Sequence, residues 1–171
     1  MTASGVSPRA GAAHKSAPSI TLLLAPLTRG LAEAERPAFL ARLERLAAER
    51  YRGWAKEAPA QAGVLLDCAQ SEEEIASRAD RLFPMSAAQA VKLDALLPEA
   101  RRLYGAMFVG LALREQLALQ ASAERQGANV WRAIAAAASV PDATREALAA
   151  CAELEEASAA RLERLLAEGH A

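Results

Sequence analysis

The sequence has few of the residues on which many enzymes rely. It contains two cysteines and two histidines, and His14 and His170 both lie near the ends of the chain. Without a histidine in the central region, no Ser/His/Asp or Cys/His triad can form there. The two cysteines form no CxxC zinc pattern and no disulfide framework, and no glycine-rich phosphate loop is present. These absences exclude the commonest nucleophilic, zinc-binding and nucleotide-binding sites.

Aromatic residues make up only 4% of a chain that is 53% apolar, so alanine and leucine must supply most of the core. These two residue types stand at the head of the helix propensity scale, and few runs of β-branched residues favour strands. The length of 171 residues suits one domain of ordinary size. The composition therefore predicts an all-α fold.

An excess of either charge is also absent, since 20 basic and 21 acidic residues give a net charge of −1. We therefore expect no binding to nucleic acid and none to a membrane surface. No apolar run approaches the ~18 residues of a transmembrane helix. The apolar stretch Ser19–Leu27 is short and follows a long polar segment, which is not the pattern of a signal peptide. We expect a cytoplasmic protein.

Prolines and helical periodicity divide the chain into segments. Residues 1–28 start with an alanine-, serine-, glycine- and proline-rich stretch without a period, and we expect this segment to be disordered or loosely attached. Residues 29–168 form one predicted domain, an up-down four-helix bundle in which Met85–Ala100 is a long crossover with a short helix from Ser86. The predicted helices are A, from Glu35 or Pro37 to Ala58; B, Ala60–Phe83; and C, from Pro98 to about Arg125, ending at "QGAN". Helix D is predicted to begin after "SVPD", with Asp142 or Ser139 as its cap, and to end near Glu168.

An internal repeat links the two halves of this domain. When the chain is aligned with itself, Leu65–Phe83 matches Leu148–Leu166, and nine of nineteen positions are identical. The aligned segments include "CAQSEEEIASR" and "CAELEEASAAR". Helices A and C match more weakly, over Leu46–Trp54 and Leu111–Leu119. The sequence thus predicts that helices C and D duplicate the hairpin of helices A and B.

Each predicted helix carries one charged residue where its apolar face would place an apolar one. These residues are Arg50, Glu72, Glu115 and Glu155. An unpaired buried carboxylate would cost several kcal/mol, so three interpretations follow. The helices can be rotated so that each Glu reaches a wet boundary; Arg50 can neutralise the carboxylates in a buried salt-bridge cluster; or a metal cation can be the counter-charge.

This layout resembles the ferritin-like superfamily of four-helix di-iron carboxylate proteins. The resemblance implies a Glu on each of helices A and C and a Glu-x-x-His motif on each of helices B and D. Glu72 and Glu155 match the first positions of the two motifs, but Ile75 and Ser158 stand where histidines are expected. The resemblance thus implies a member that lacks a standard di-iron centre.

On helix C the resemblance places Glu115 at the ligand position, and on helix A it places Arg50 there, with Glu49 as its neighbour. It therefore implies a site in which the Arg50 guanidinium has replaced the cation. If a metal is bound instead, iron or manganese is expected at an all-carboxylate site formed by Glu49, Glu72, Glu115 and Glu155.

The function that these features favour is non-enzymatic. We expect a structural or partner-binding bundle without a cofactor, which self-associates or binds a protein partner, because alanine-rich helix faces allow close docking. Cys68 and Cys151 are expected to be buried, inert thiols. Two alternatives remain: a metal-binding oxidoreductase or metal store, and a bundle that binds a small molecule beside aromatic residues such as Tyr51 and Tyr104.

Overall fold

The structure, a computed structural model, describes residues 19–137 and 140–169. Every regular element in these two ranges is helical, which confirms the predicted all-α class. None of the helices in them combines the length and the apolar character needed to cross a lipid bilayer. The α-helices are α1 (Ile20–Thr28), α2 (Arg36–Glu57), α3 (Ala62–Leu82), α4 (Ala87–Asp94), α5 (Leu97–Ala106), α6 (Leu113–Ala135) and α7 (Asp142–Ala167).

Short connections make α2 and α3 one antiparallel hairpin and α6 and α7 another. Only a single 3₁₀ turn, Pro59–Gln61, separates α2 from α3, and its proline cannot continue the α2 hydrogen bonds. Pro141 directly precedes the first residue of α7. The predicted helices A, B and D therefore correspond to α2, α3 and α7, and the ends that fall on described residues differ by no more than two residues. Ser139, the alternative cap of helix D, lies outside the described residues.

The two hairpins pack against each other so that α3 opposes α7 and α2 opposes α6. Cys68 on α3 shares a core cluster with Leu162, near the end of α7, whereas Ile75 shares another with Leu148, near its start. Trp54 on α2 donates its indole N–H to the Gln116 side chain on α6 at 2.8 Å. Both facing pairs therefore run antiparallel.

The prediction of one continuous helix C is wrong. The chain leaves its helical path between α5 and α6, where Gly110 has a φ of +77°, a conformation that favours glycine. The expected interruption at "QGAN" is also wrong, since α6 runs without a break through Gly127 to Ala135. The predicted crossover helix is confirmed: the Ser86 hydroxyl accepts the Gln89 backbone N–H at 3.3 Å and caps α4.

The first described residues correct the prediction for the amino-terminal segment. Residues 20–28, expected to be disordered or loosely attached, form α1, and Leu24 on this helix is buried. Leu24 belongs to a core cluster with Phe39 of α2 and Leu93 of α4, so apolar burial holds α1 in place. Residues 1–18 lie outside the described part of the chain, and a single domain over 29–168 stays a prediction.

Candidate carboxylate site

Each of the four long helices contributes one glutamate to the interior. Glu72 is 0% exposed, and Glu124 and Glu155 are each 2% exposed, whereas Glu44 keeps part of its side chain open to a cavity. Carboxylate oxygens of Glu44, Glu72 and Glu155 lie within 4.8 Å of one another. Glu124 is within hydrogen-bonding reach of Glu72 and Glu155. We call these four residues the carboxylate cluster.

Gly127 makes room for one member of the cluster. A Cβ atom at Gly127 would lie 2.5 Å from Oε1 and 2.8 Å from Cδ of Glu155, which is far inside van der Waals contact. Gly127 is three residues after Glu124 on α6, so it lies next to that glutamate on nearly the same helix face. The absent side chain is what lets α7 bring the Glu155 carboxylate to α6.

Three side chains donate hydrogen bonds to the carboxylate cluster. Glu124 Oε1 accepts from the Tyr51 hydroxyl at 2.8 Å and from the Gln120 amide at 2.6 Å. Glu44 Oε1 accepts from the Trp131 indole N–H at 3.1 Å. Other oxygens of the cluster are buried and have no donor within residues 19–137 and 140–169. They are both oxygens of Glu72, Oε2 of Glu124 and Oε1 of Glu155.

The donors on α2 and α6 are arranged reciprocally. Tyr51 lies seven residues after Glu44, and Trp131 lies seven residues after Glu124. Each aromatic residue donates to the glutamate of the opposite helix. Seven residues are about two helical turns, so on each helix the glutamate and the donor lie on one face.

The ion pairs around the cluster also occur at matching positions in the two hairpins. On the first hairpin, Arg45 and Arg52 of α2 pair with Glu73 of α3, and Arg45 also pairs with Asp80. The second hairpin repeats each of these contacts at matching positions. There Arg125 and Arg132 of α6 pair with Glu156 of α7, and Arg125 also pairs with Glu163.

Burial and mutual repulsion raise the pKa values of three glutamates of the cluster, Glu44, Glu72 and Glu155. Burial, together with the charge of Glu124, raises the pKa of Glu44 to about 8. The pKa values of Glu72 and Glu155 are well above the ordinary range, first because of burial and then because of the neighbouring carboxylates. Carboxylates this close cannot all be ionised without a counter-charge.

Arg50 does not supply that counter-charge, and the predicted Arg/Glu cluster is wrong in this respect. Its guanidinium lies 4.1 Å from the ring centre of Phe108 and 4.5 Å from that of Tyr104. It forms no ion pair within the described ranges, and its buried Nε has no acceptor. Arg50 follows Glu44 by six residues, about 240° around the helix, so the two side chains leave α2 in different directions.

Glu49 and Glu115, the other two predicted ligands, also lie outside the cluster. Glu49 is 53% exposed and pairs with Arg101 at 2.7 Å. Glu115 is exposed at the start of α6, where its carboxylate accepts the Ala112 backbone N–H at 2.9 Å. Of the predicted set, the structure brings only Glu72 and Glu155 together.

Sequence reasoning missed Glu44 and Glu124, although a signal for them exists. Both start the pattern Glu-Arg-x-x-Ala-x-x-(Tyr/Trp)-Arg-x-x-Ala, which occurs once in each hairpin. The alignment that matches Glu72 with Glu155 does not match these two copies, because the hairpins differ in length. The chain from Glu124 to Glu155 is three residues longer than the chain from Glu44 to Glu72.

The two cysteines lie in the buried core beside the site. Cys68 and Cys151 are buried free thiols, and burial raises the pKa of each to about 11. A thiol with so high a pKa is almost fully protonated at neutral pH and is a poor nucleophile. Both residues behave as the small apolar side chains that were predicted.

A cavity of about 970 Å³ connects the carboxylate cluster with the surface. Glu44, Glu124 and Glu155 line its inner end. Its walls come mainly from α1, α2 and α6, so it occupies the space between the facing helices α2 and α6. The cluster is therefore accessible to a solute, although three of its four glutamates are almost fully buried.

Comparison with known proteins adds nothing to this geometry, because no protein-family model, curated protein or solved structure matches the chain. The function has to be argued from the site itself.

Proposed function

We propose that this protein is a ferritin-like four-helix bundle, built from a duplicated hairpin, whose carboxylate cluster binds divalent metal ions. Iron and manganese are the candidates. The observation that carries the proposal is the convergence of carboxylate oxygens of Glu44, Glu72 and Glu155, with Glu124 within hydrogen-bonding reach of the last two. Each long helix thus contributes one glutamate, and several of their buried oxygens have no donor among the described residues.

The residues present fit a cation. Ionised carboxylates without donors would each cost several kcal/mol in the interior, and a bound cation removes that cost. The donor set is oxygen only, which suits hard cations such as Mn²⁺ better than soft ones. Four ionised carboxylates carry the charge that two divalent cations neutralise. Ile75 and Ser158 stand where the family has histidine ligands, so the site has no nitrogen donors. The four carboxylates remain as possible ligands.

A metal site explains the geometry better than a purely structural role does. An ionised structural cluster needs a basic partner, and Arg50 stacks on aromatic rings instead. Ionisation of the four buried acids without any counter-charge would leave the domain with a large unfavourable term, compared with the ~5–15 kcal/mol that stabilise a typical domain. We therefore favour the all-carboxylate metal site over the non-enzymatic Arg/Glu cluster.

The ferritin-like architecture and the duplication are supported by the pairing of the helices. A long segment that includes α4 and α5 separates the two hairpins, as in bundles with one long crossover. The reciprocal bonds from Tyr51 and Trp131, and the repeated ion pairs of Arg45 and Arg125, relate the hairpins position by position. Two unrelated hairpins would have no reason to share these contacts.

Within the proposed site, the four glutamates would hold the metal, which supplies positive charge and, for iron or manganese, a redox-active centre. Tyr51 and Gln120 fix the orientation of the Glu124 carboxylate, and Trp131 fixes that of Glu44. Such outer hydrogen bonds hold ligands in place and tune their basicity. The cavity beside Glu44 admits solutes to the site.

The test is a metal titration of metal-depleted protein with Mn²⁺, and with Fe²⁺ under anaerobic conditions. We expect stoichiometric binding that Glu44→Gln and Glu124→Gln each weaken at least tenfold. Glu49→Gln and Glu115→Gln are matched controls on the same two helices, and they should leave the affinity unchanged. Absence of stoichiometric metal, or loss of affinity in the two control variants, would contradict the proposal.

Self-association, a cytoplasmic location and the lack of nucleic-acid and membrane partners stay predictions from the sequence. Light scattering at micromolar concentration tests the first of these, since a monomer mass there would contradict it.

A further inference from the structure

The walls of the cavity are apolar along most of their length. Between the surface and the carboxylate cluster they are formed mainly by aliphatic side chains, with the aromatic rings of Phe83, Tyr104 and Trp131. The principal wall residues are Leu24 of α1, Leu40 and Leu43 of α2, and Val130, Trp131 and Ile134 of α6. At about 970 Å³ the space lies near the upper end of the roughly 300–1,000 Å³ range of small-molecule sites. Apolar walls of this extent favour a ligand with a substantial hydrocarbon portion.

α1 is held in place as one side of the cavity. The Ile20 backbone N–H donates to the Gln126 side-chain oxygen on α6 at 2.8 Å, and Leu24 is anchored in the core. Pro37, at the start of α2, lines the cavity on the side where α1 connects to α2. The hydrocarbon portion of a ligand would therefore lie between ordered helices.

The mouth of the cavity differs in charge from its inner end. Arg29 and Arg36 line the mouth and are exposed. Neither forms an ion pair within residues 19–137 and 140–169, whereas most other arginines of the protein do. Glu33 also lines the mouth, so these three residues leave a net charge of +1 there. The inner end holds Glu44, Glu124 and Glu155.

We propose that this cavity binds a single-chain amphiphile with an anionic head group, such as a long-chain carboxylate. The head group lies at the mouth against Arg29 and Arg36, and the hydrocarbon chain follows the apolar walls toward Glu44. This orientation keeps the charged head in contact with water and guanidinium groups, and it removes the chain from water.

The opposite orientation, with a cationic head at the carboxylates, is less favourable. An ammonium group held at the inner end would give up its water in the protein interior, and the long chain would place its apolar end at the exposed mouth. That end would lie beside Arg29 and Arg36, which form no ion pair within the described ranges. Binding of the anionic amphiphile needs no metal, so this inference is independent of the proposed metal site.

Fluorescence quenching of Trp131 tests the location of the chain. The protein has two tryptophans, and Trp54→Phe leaves Trp131, on the cavity wall, as the only one. Dodecanoate with a bromine at the end of its chain should quench this fluorescence at concentrations below micelle formation. The matching bromododecylamine and bromododecanol are compared with it. All titrations use metal-depleted protein, so failure of metal binding would not affect the result.

The arginines are tested by Arg29→Gln and Arg36→Gln together, with Arg114→Gln as the control. Arg114 is exposed, forms no ion pair among the described residues and does not line the cavity. The double substitution should weaken dodecanoate binding about three- to fivefold, as expected for exposed ion pairs, and leave dodecanol binding and the control unchanged. Calorimetric titration of dodecanoate into the unmodified protein must give the same affinity as quenching.

Three results would overturn the proposal. One is the absence of quenching by bromododecanoate together with the absence of heat in the calorimeter. Another is an affinity for the amine equal to or higher than that for the carboxylate, which would indicate a cationic ligand. The third is equal binding by the double arginine variant and the unmodified protein.

Discussion

The hydrogen atom that Gly127 carries in place of a Cβ leaves the space that the Glu155 carboxylate fills. Glu155 lies on α7, and its Oε1 has no donor among the described residues. A Cβ atom on α6 at this position would clash with the Glu155 carboxylate, and glycine has none. A glycine inside a helix costs roughly 0.5–1 kcal/mol relative to alanine. Gly127 therefore makes α6 less stable than alanine would, and it leaves room for the Glu155 carboxylate.

We predict that Gly127→Ala weakens Mn²⁺ binding at least tenfold, because the new methyl group displaces the Glu155 carboxylate from the cluster. The metal-free protein should be no less stable than the original, because alanine favours the helix and one buried acid can move away from its neighbours. Metal titration and thermal unfolding of the metal-free form measure the two effects separately.

Gly53→Ala is the matched control. Gly53 is also within a long helix, α2, and a Cβ there would meet nothing within 4 Å. The control should raise stability by about 0.4–1 kcal/mol and leave metal affinity unchanged. If both glycine variants bind Mn²⁺ as the original protein does, Glu155 is not a ligand.

Two of the four glutamates of the cluster, Glu72 and Glu155, could be predicted from the sequence. The other two, Glu44 and Glu124, could not, and the reason is physical. α3 and α7 have continuous apolar faces, so the phase of each helix placed Glu72 and Glu155 inward. On α2, alanines on several sides make the apolar face broad, and Arg50 falls within it as readily as Glu44 does. Arg50 is then stabilised by aromatic rings of Tyr104 and Phe108, a contact between distant segments that one helix pattern does not contain.

At the scale of the helices, the error at Glu115 came from treating α5 and α6 as one helix. The apolar residues of α5, such as Tyr104, define a helix phase that does not continue into α6. Residues 107–112 interrupt the helix, and the chain turns at Gly110. Extending the phase across this turn put Glu115 inward, whereas in the structure it caps the start of α6. Glu124, two and a half turns later, is the residue that faces the core.

This turn gives a prediction for the connection between the two helices. Gly110→Ala should destabilise the protein by about 1–2 kcal/mol, because a side chain in the left-handed region is strained. Gly105→Ala, on α5, is the control: its backbone is helical and a Cβ there would have free space. Chemical denaturation of both variants measures the difference. Equal stability of the two variants would mean that the turn relaxes without cost.

At the scale of the whole molecule, the carboxylate cluster opposes folding whenever it is ionised without a cation. The same four helices that bury the core also bury these acids, so their protonation is coupled to the unfolding of the protein. Acids that are paired with a basic group act in the other direction. The Lys92 ammonium and the Ala32 backbone N–H hold the pKa of Glu35 below its ordinary value, and that contribution is lost only in more acidic solution. The range from pH 5 to pH 8 thus isolates the cluster.

We predict that the free energy of unfolding of the metal-free protein falls by several kcal/mol between pH 5 and pH 8. In the folded protein the pKa of Glu44 is about 8, whereas an exposed glutamate titrates near its ordinary pKa of 4.5. Over this range the unfolded chain has lost protons that the folded chain keeps, so rising pH favours unfolding. Saturating Mn²⁺ should reverse the trend, because metal binding to the folded state stabilises it and requires deprotonated ligands.

Glu72→Gln provides the control for this profile. It replaces a fully buried acid with a neutral side chain of nearly the same shape, so the metal-free variant should be more stable than the original at pH 8 and its stability should depend less on pH. Urea denaturation at pH 5, 6, 7 and 8, with and without Mn²⁺, measures all four combinations of variant and metal. A flat profile for the original metal-free protein would show that the cluster is not buried as described. If the stability of the metal-free protein falls with pH but Mn²⁺ does not change the profile, the burial of the acids is supported and the metal site is contradicted. The steep pH dependence comes from burial of the acids, whereas its reversal can come only from a bound cation.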